Sequence, residues 1–117
     1  MFRGNKYGAV RVNGFGSKLE YAVYQKLLER EKLGEISEIL CQQVVILQPG
    51  PPKVRITWKV DFKCTVCKTG EPLYVEAKGC PTDSYKLKIK MWRKLKPARL
   101  EIWMGSWRYP KCVEVIE

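Results

Sequence analysis

Glu76, Ala77 and Lys78 follow Asp61 by one hairpin length, and the residues around them alternate as a strand requires. Over 73–78, Leu73, Val75 and Ala77 fall on one face, while Tyr74, Glu76 and Lys78 fall on the other. In the preceding run, Val54, Ile56, Trp58, Val60 and Phe62 form an apolar face and leave Arg55, Thr57, Lys59 and Asp61 opposite. Pairing of the two runs sets Asp61 across from Glu76 with Lys78 beside them. Two carboxylates so placed can hold a hard divalent cation, because magnesium takes oxygen ligands, commonly one or two carboxylates with water and substrate phosphate completing its shell. A neighbouring lysine can orient an attacking water and offset charge building on a phosphate. The chemistry on offer is metal-assisted hydrolysis of a phosphodiester. The same residues would also serve as a cross-strand ion pair on a solvated face. Asp61-Phe62-Lys63 has the same acid-x-lysine form, but no acid lies between Glu38 and Asp61 to complete a site there.

The elements that must carry these residues are legible in outline. Ser17-Lys18-Leu19-Glu20 matches a capping box and Gly34 supplies a stop, so a helix is expected over 17–32. Glu20 would complete the capping box, yet it also leads the stripe of Val23, Tyr24 and Leu27, which points it inward beside the sheet. A strand is expected over 39–47, carrying Gln43, and Pro49-Gly50-Pro51-Pro52 forms a turn. Strands over 54–63 and 73–78 make the hairpin. A second helix over 82–95 is ended by Pro97, and late strands follow over 99–104 and 112–116. This order indicates one α/β layered domain, which 117 residues are enough to build without covalent staples.

With 22 basic against 12 acidic residues the net charge is +10, which favours a polyanionic partner and also fits a ribosomal protein or a membrane-surface binder. No apolar run reaches the ~18 residues of a membrane span, and no apolar signal core follows the basic start, so a cytoplasmic chain with no membrane partner is expected. Residues 1–16 read as a flexible basic arm, with Arg3, Lys6 and Arg11 and no acid before Glu20. On the second helix, Lys86, Lys90, Arg93 and Lys94 cover an arc of roughly 100°. Tyr85, Leu87, Ile89, Met91, Trp92 and Leu95 fill the rest, interrupted by Lys88. Such an arc is either a solvated face or a set of phosphate contacts, and every charged residue from Lys86 to Arg99 is basic. Lys88 must snorkel outward or point to the carboxylates. Trp107 and Tyr109, in a Gly-Ser loop before Pro110, are candidates for a wedge against DNA or a dimer contact.

Of 5 cysteines only Cys64 and Cys67 are closely spaced, and the chain has 0 histidines. Free thiols or one disulfide are expected there, with structural zinc as the alternative.

Asp61, Glu76-Ala77-Lys78 and Glu20 together resemble the PD-(D/E)XK nuclease superfamily, over most of the chain. Ser17-Lys18-Leu19-Glu20-Tyr21, Gly34-Glu35-Ile36, Gln43, Val60-Asp61-Phe62, Val75-Glu76-Ala77-Lys78-Gly79 and Thr82-Asp83-Ser84-Tyr85-Lys86-Leu87-Lys88 resemble small phage-encoded endonucleases of the Holliday-junction-resolvase type. Val60 stands where the superfamily's naming proline would be. The resemblance implies a restriction-endonuclease-like core, a central mixed β-sheet flanked by helices, over 17–117. It implies magnesium, with manganese able to substitute, held by Asp61, Glu76, the Ala77 carbonyl and Glu20. Lys78 and Lys88 would act in catalysis, and Gln43 would join the basic residues on DNA. The implied activity is resolution of branched DNA by a homodimer, leaving 5′-phosphate ends in the cytoplasm, or in a host cytoplasm if phage-encoded. A duplex or flap endonuclease of the same fold, and a non-catalytic basic nucleic-acid-binding protein, are the alternatives.

Overall fold

The computed structural model describes residues 14–117, so Arg3, Lys6 and Arg11 of the expected arm lie outside the described residues. Helix α1 spans Lys18–Lys32. It begins where Ser17, extended at the N-cap, accepts the Glu20 N–H at 3.0 Å, and it ends where Gly34 at φ +78° turns its own N–H back to the Glu31 carbonyl. Strands β1 (Ile36–Gln48), β2 (Ile56–Val66) and β3 (Pro72–Ala77) follow, then helix α2 (Asp83–Leu95) and strands β4 (Arg99–Gly105) and β5 (Pro110–Ile116). The strands form one sheet in chain order, antiparallel except for the parallel β3 and β4 pair. A parallel pair needs a crossover, and α2 is that crossover. None of the described helices is long and apolar enough to cross a membrane.

Each helix covers one face of this mixed sheet. On β3 the alternation is regular: Leu73 and Val75 pack with Leu19, Val23 and Leu27 of α1, while Tyr74 lies against Trp92 of α2 with ring centres 5.4 Å apart. On β4, Leu100 and Ile102 join the α2 side.

The β1–β2 hairpin departs from the single apolar face its sequence indicates. Trp58, Val60, Phe62 and Cys64 are all buried, as alternation requires, but Trp58 and Val60 pack on the α2 side and Phe62 and Cys64 on the α1 side. The partner strand divides likewise, since Val45 and Leu47 join the α2 side and Ile36 and Ile39 the α1 side. Between these halves sit Gln42 and Asp61, where the ladder skips a pair and Gln42 has φ +56°. A left-handed residue rotates the strand, so side chains two apart need not share a face. Val54 does not belong to this face at all: it is half-exposed in the turn before β2.

Helix α2 is also less apolar toward the sheet than its sequence indicates. Only Tyr85, Ile89 and Trp92 are buried, with Met91 partly so, while Leu87 and Leu95 are 55% and 51% exposed. One helical stripe suffices to cover a sheet with this twist, and the remaining apolar residues stay in water.

A buried ion pair ties α1 to the sheet. Arg30 donates to both carboxylate oxygens of Glu101 on β4, at 2.9 and 3.2 Å, and the Trp103 indole N–H donates to the same carboxylate at 3.0 Å. Glu101 is only 6% exposed, and three hydrogen bonds from two donor groups, Arg30 Nη1 and Trp103 Nε1, take the place of water. Glu101→Ala should therefore lower the unfolding free energy by about 2 kcal/mol, measured by chemical denaturation. An unchanged midpoint would show that this pair does not hold α1 in place.

Candidate active site

The antiparallel ladder between β2 and β3 runs inward from Thr65 and Pro72 to Phe62 and Val75. Past that pair the two strands are joined by side chains instead. The Asp61 N–H donates to Glu76 Oε1 at 3.1 Å, and the Ala77 N–H donates to Asp61 Oδ2 at 2.9 Å. Each carboxylate thus satisfies a backbone donor on the opposite strand, and the two acids are locked beside each other. The register expected from sequence holds up to this point, and Asp61 and Glu76 meet.

Lys78 adds the cation. Its Nζ lies 4.0 Å from Glu76 Oε2 and 5.2 Å from the centre of the Tyr85 ring, while its N–H is fixed by the Trp103 carbonyl at 2.9 Å. Backbone and aromatic floor together restrict where the ammonium can go. That cation does not neutralise the acids. Burial, followed by the charge of Asp61, pushes the Glu76 carboxyl up to about 8, and burial also raises Asp61 against the opposing pull of its hydrogen bond from Ala77. The Tyr85 hydroxyl is pushed up to about 12, by burial and then by the Glu76 charge, which puts the α2 tyrosine in the field of the pair.

Glu20 reaches the same place from α1. Its N–H takes the Ser17 cap, while its carboxylate accepts from Gln42 Nε2 at 3.2 Å, and the same amide lies 3.5 Å from Asp61 Oδ1. The cap and the inward orientation are therefore not exclusive, because backbone serves one and side chain the other. A Cβ at Gly16 would come within 3.3 Å of Glu20 Oε1, so a side chain there would push this carboxylate aside by a few tenths of an ångström. Glu20, Gln42, Asp61 and Lys59 line a cleft of about 550 Å³.

Gln42, the neighbour of the Gln43 expected on DNA, bridges Glu20 and Asp61. Gln43 instead donates to the Cys41 carbonyl at 3.0 Å. Two adjacent glutamines gave no signal to choose between them, since a left-handed φ at glutamine has no local sequence mark. Tyr85 was likewise visible only as part of an apolar arc. Lys88 is half-buried, with no ion pair to either carboxylate among the described residues. Lys86, Lys90 and Lys94 are exposed, as is Arg93, whose guanidinium is engaged with Glu114 of β5 at 2.7 Å. Cys64 is buried under α1, where its thiol donates to the Leu73 carbonyl at 3.6 Å and burial pushes it up to about 11; Cys67 is exposed beyond the end of β2. Both are free thiols, and among the described residues no set of three His, Cys, Asp or Glu side chains is gathered for a metal. Asp61 in the middle of β2 and Glu76 near the end of β3 could offer a cation two carboxylates, leaving the rest of its shell to backbone and water.

No protein-family model, curated protein or solved structure matches the chain.

Because folding raises the Glu76 carboxyl from 4.5 to about 8, its contribution to stability is full below pH 4.5 and is lost as pH rises toward about 8. In chelator, the melting temperature should fall across that window, and Glu76→Gln, which keeps an oxygen for the Asp61 N–H, should flatten the profile. A parent profile as flat as the variant's would contradict a Glu76 carboxyl raised by burial beside Asp61.

Proposed function

We propose that this chain is a metal-dependent endodeoxyribonuclease of the PD-(D/E)XK type with a restriction-endonuclease-like core, acting on branched DNA such as Holliday junctions. The single observation that carries the proposal is the mutual clasp of Asp61 and Glu76 beside Lys78. An ordinary surface ion pair would not bury Glu76 to 4% exposure beside another acid. Two acids raised together have excess negative potential, which is what a divalent cation relieves. The mixed sheet between two helices is compatible with the core named, and the net charge of +10 with a polyanionic substrate.

The donor set fits magnesium or manganese in chemistry: hard oxygens from Asp61 and Glu76, with the Ala77 carbonyl as a third donor and Glu20 assisting directly or through water. Bound there, the cation would supply Lewis-acid stabilisation of charge on the scissile phosphate. Lys78, held over Tyr85, orients the attacking water and offsets charge on the phosphate oxygens. Gln42 keeps Glu20 and Asp61 in register. By the family resemblance, in-line attack leaves a 5′-phosphate and a 3′-hydroxyl. The exposed Lys86, Lys90 and Lys94 of α2 supply backbone contacts that carry no sequence information. A homodimer would set two such sites on opposite strands of a junction.

The test compares a mobile four-way junction, a linear duplex and a flap, each with magnesium and with chelator. Junction cleavage should require the metal. Asp61→Asn and Glu76→Gln should each abolish most turnover while binding the junction as tightly as the parent or more so, and Lys78→Ala should lose turnover but keep calcium binding by calorimetry. Absence of cleavage of all three substrates with magnesium and with manganese, despite tight binding, would leave a non-catalytic nucleic-acid-binding protein. Preferential cleavage of duplex or flap would reassign the substrate.

Junction affinity should also fall steeply with salt. Replacing Lys86 and Lys90 together with alanine should reduce the slope of log affinity against log salt by about 2, at roughly 0.9 per phosphate contact. An unchanged slope would place the DNA on another face.

A further inference from the structure

A recess of about 430 Å³ opens between the first turns of α1 and the loop from β4 to β5. Its wall is apolar and aromatic, from Tyr21, Trp107 and Pro110, and its rim is cationic, from Lys18, Lys26 and Arg108. Trp107 is 48% exposed, with Lys18 Nζ 5.4 Å and the Arg108 guanidinium carbon 5.1 Å from its ring centre. None of the three cations has a carboxylate partner among the described residues. In this they resemble the exposed lysines of α2 and differ from Arg30 and Arg93, which are paired with Glu101 and Glu114.

The loop that presents Trp107 has a defined shape. Gly105 takes φ +99°, where a Cβ would stand 2.7 Å from the Tyr109 carbonyl, and the Tyr109 N–H is held by Ser106 through both its carbonyl and its hydroxyl. Because β3 and β4 are parallel, with Ala77 beside Trp103, this loop and Lys78 leave the sheet at the same end. Lys18 is two residues from Glu20 on α1. The recess and the carboxylates therefore lie on either side of the same helix start.

An apolar wall alone would suit many partners, but three uncompensated cations around an exposed indole select a planar, apolar body carrying anionic groups. A free phosphate makes no use of the indole, and an apolar protein surface makes none of the charges. We propose that the recess is a stacking subsite for an unpaired base of a DNA strand, with Trp107 under the base and Lys18, Lys26 and Arg108 on the flanking phosphates. The choice of DNA rests on the nuclease function proposed above. Unpaired bases are available where strands exchange or fray and are absent from continuous duplex, so this subsite favours branched substrates next to the carboxylates.

The test measures binding of labelled oligothymidylate and of a blunt duplex in chelator, where no cleavage can enter. Trp107→Ala should weaken oligothymidylate binding by about tenfold, what one lost base stack produces, and leave duplex binding unchanged. Trp107→Phe should restore it, and Arg108→Glu should weaken it with a smaller salt slope. Oligothymidylate should quench tryptophan fluorescence in the parent and not in Trp107→Ala. Equal oligothymidylate affinity in the parent and Trp107→Ala would overturn the subsite, even in an enzyme that cuts junctions. So would loss of dimer mass in Trp107→Ala with oligothymidylate affinity intact, because the recess would then belong to a second copy. Trp107-dependent binding in a chain that never cleaves DNA would instead leave the subsite standing and remove the nuclease function.

Discussion

Two like charges held together in a buried place constrain the rest of this molecule. Asp61 and Glu76 are neighbours because each accepts a backbone N–H from the other's strand. Those hydrogen bonds are local and directional, and they take over where the β2–β3 ladder stops pairing backbone to backbone. A carboxylate used this way is a structural part as well as a charge. Removing the oxygen would orphan an N–H, whereas removing only the charge would not. The arrangement is stable only when something offsets the repulsion: a proton on Glu76, the Lys78 ammonium at 4.0 Å, or an added cation.

The turn of β1 and β2 through the sheet serves the same place. Gln42 adopts a left-handed conformation that costs a non-glycine residue about 1 kcal/mol, and the position where it does so is next to Asp61. On one side of this crossing Trp58 and Val60 pack against α2, and on the other Phe62 packs against α1. A strand residue at such a crossing is within reach of both helices. That is how Glu20 from α1 and Tyr85 from α2 come to surround one pair of carboxylates, each anchored by a separate hydrophobic core.

Electrostatics across the chain are divided unevenly. The paired acids serve the clasp, Arg30, Arg93 and Arg99, while the lysines of α2 and the cations around Trp107 lack carboxylate partners among the described residues. Part of the chain's positive surplus is thus displayed on α2 and around Trp107. Such a surplus would draw a polyanion toward the molecule over roughly a Debye length, about 10 Å at 0.1 M salt. On the function proposed above, it would meet at the clasp a repulsion that a bound divalent cation would reverse.

The order of elements was legible in the chain because capping residues, proline and glycine punctuation and hydrophobic periods are local signals, and each helix and strand begins and ends close to where they indicate. The pairing of Asp61 with Glu76 beside Lys78 was legible for the same reason: a period of two and one hairpin length dictate it. Tertiary structure alone decided which face each buried residue of β2 serves, since an unbroken alternation at Trp58, Val60, Phe62 and Cys64 carries no mark of a twist imposed by its partner strand. It alone brought Gln42 between Glu20 and Asp61, left Leu87 and Leu95 in water, and buried Glu101 beneath Arg30. These outcomes depend on two helices packing against opposite faces of one twisted sheet, a long-range balance of burial that no neighbouring residues encode.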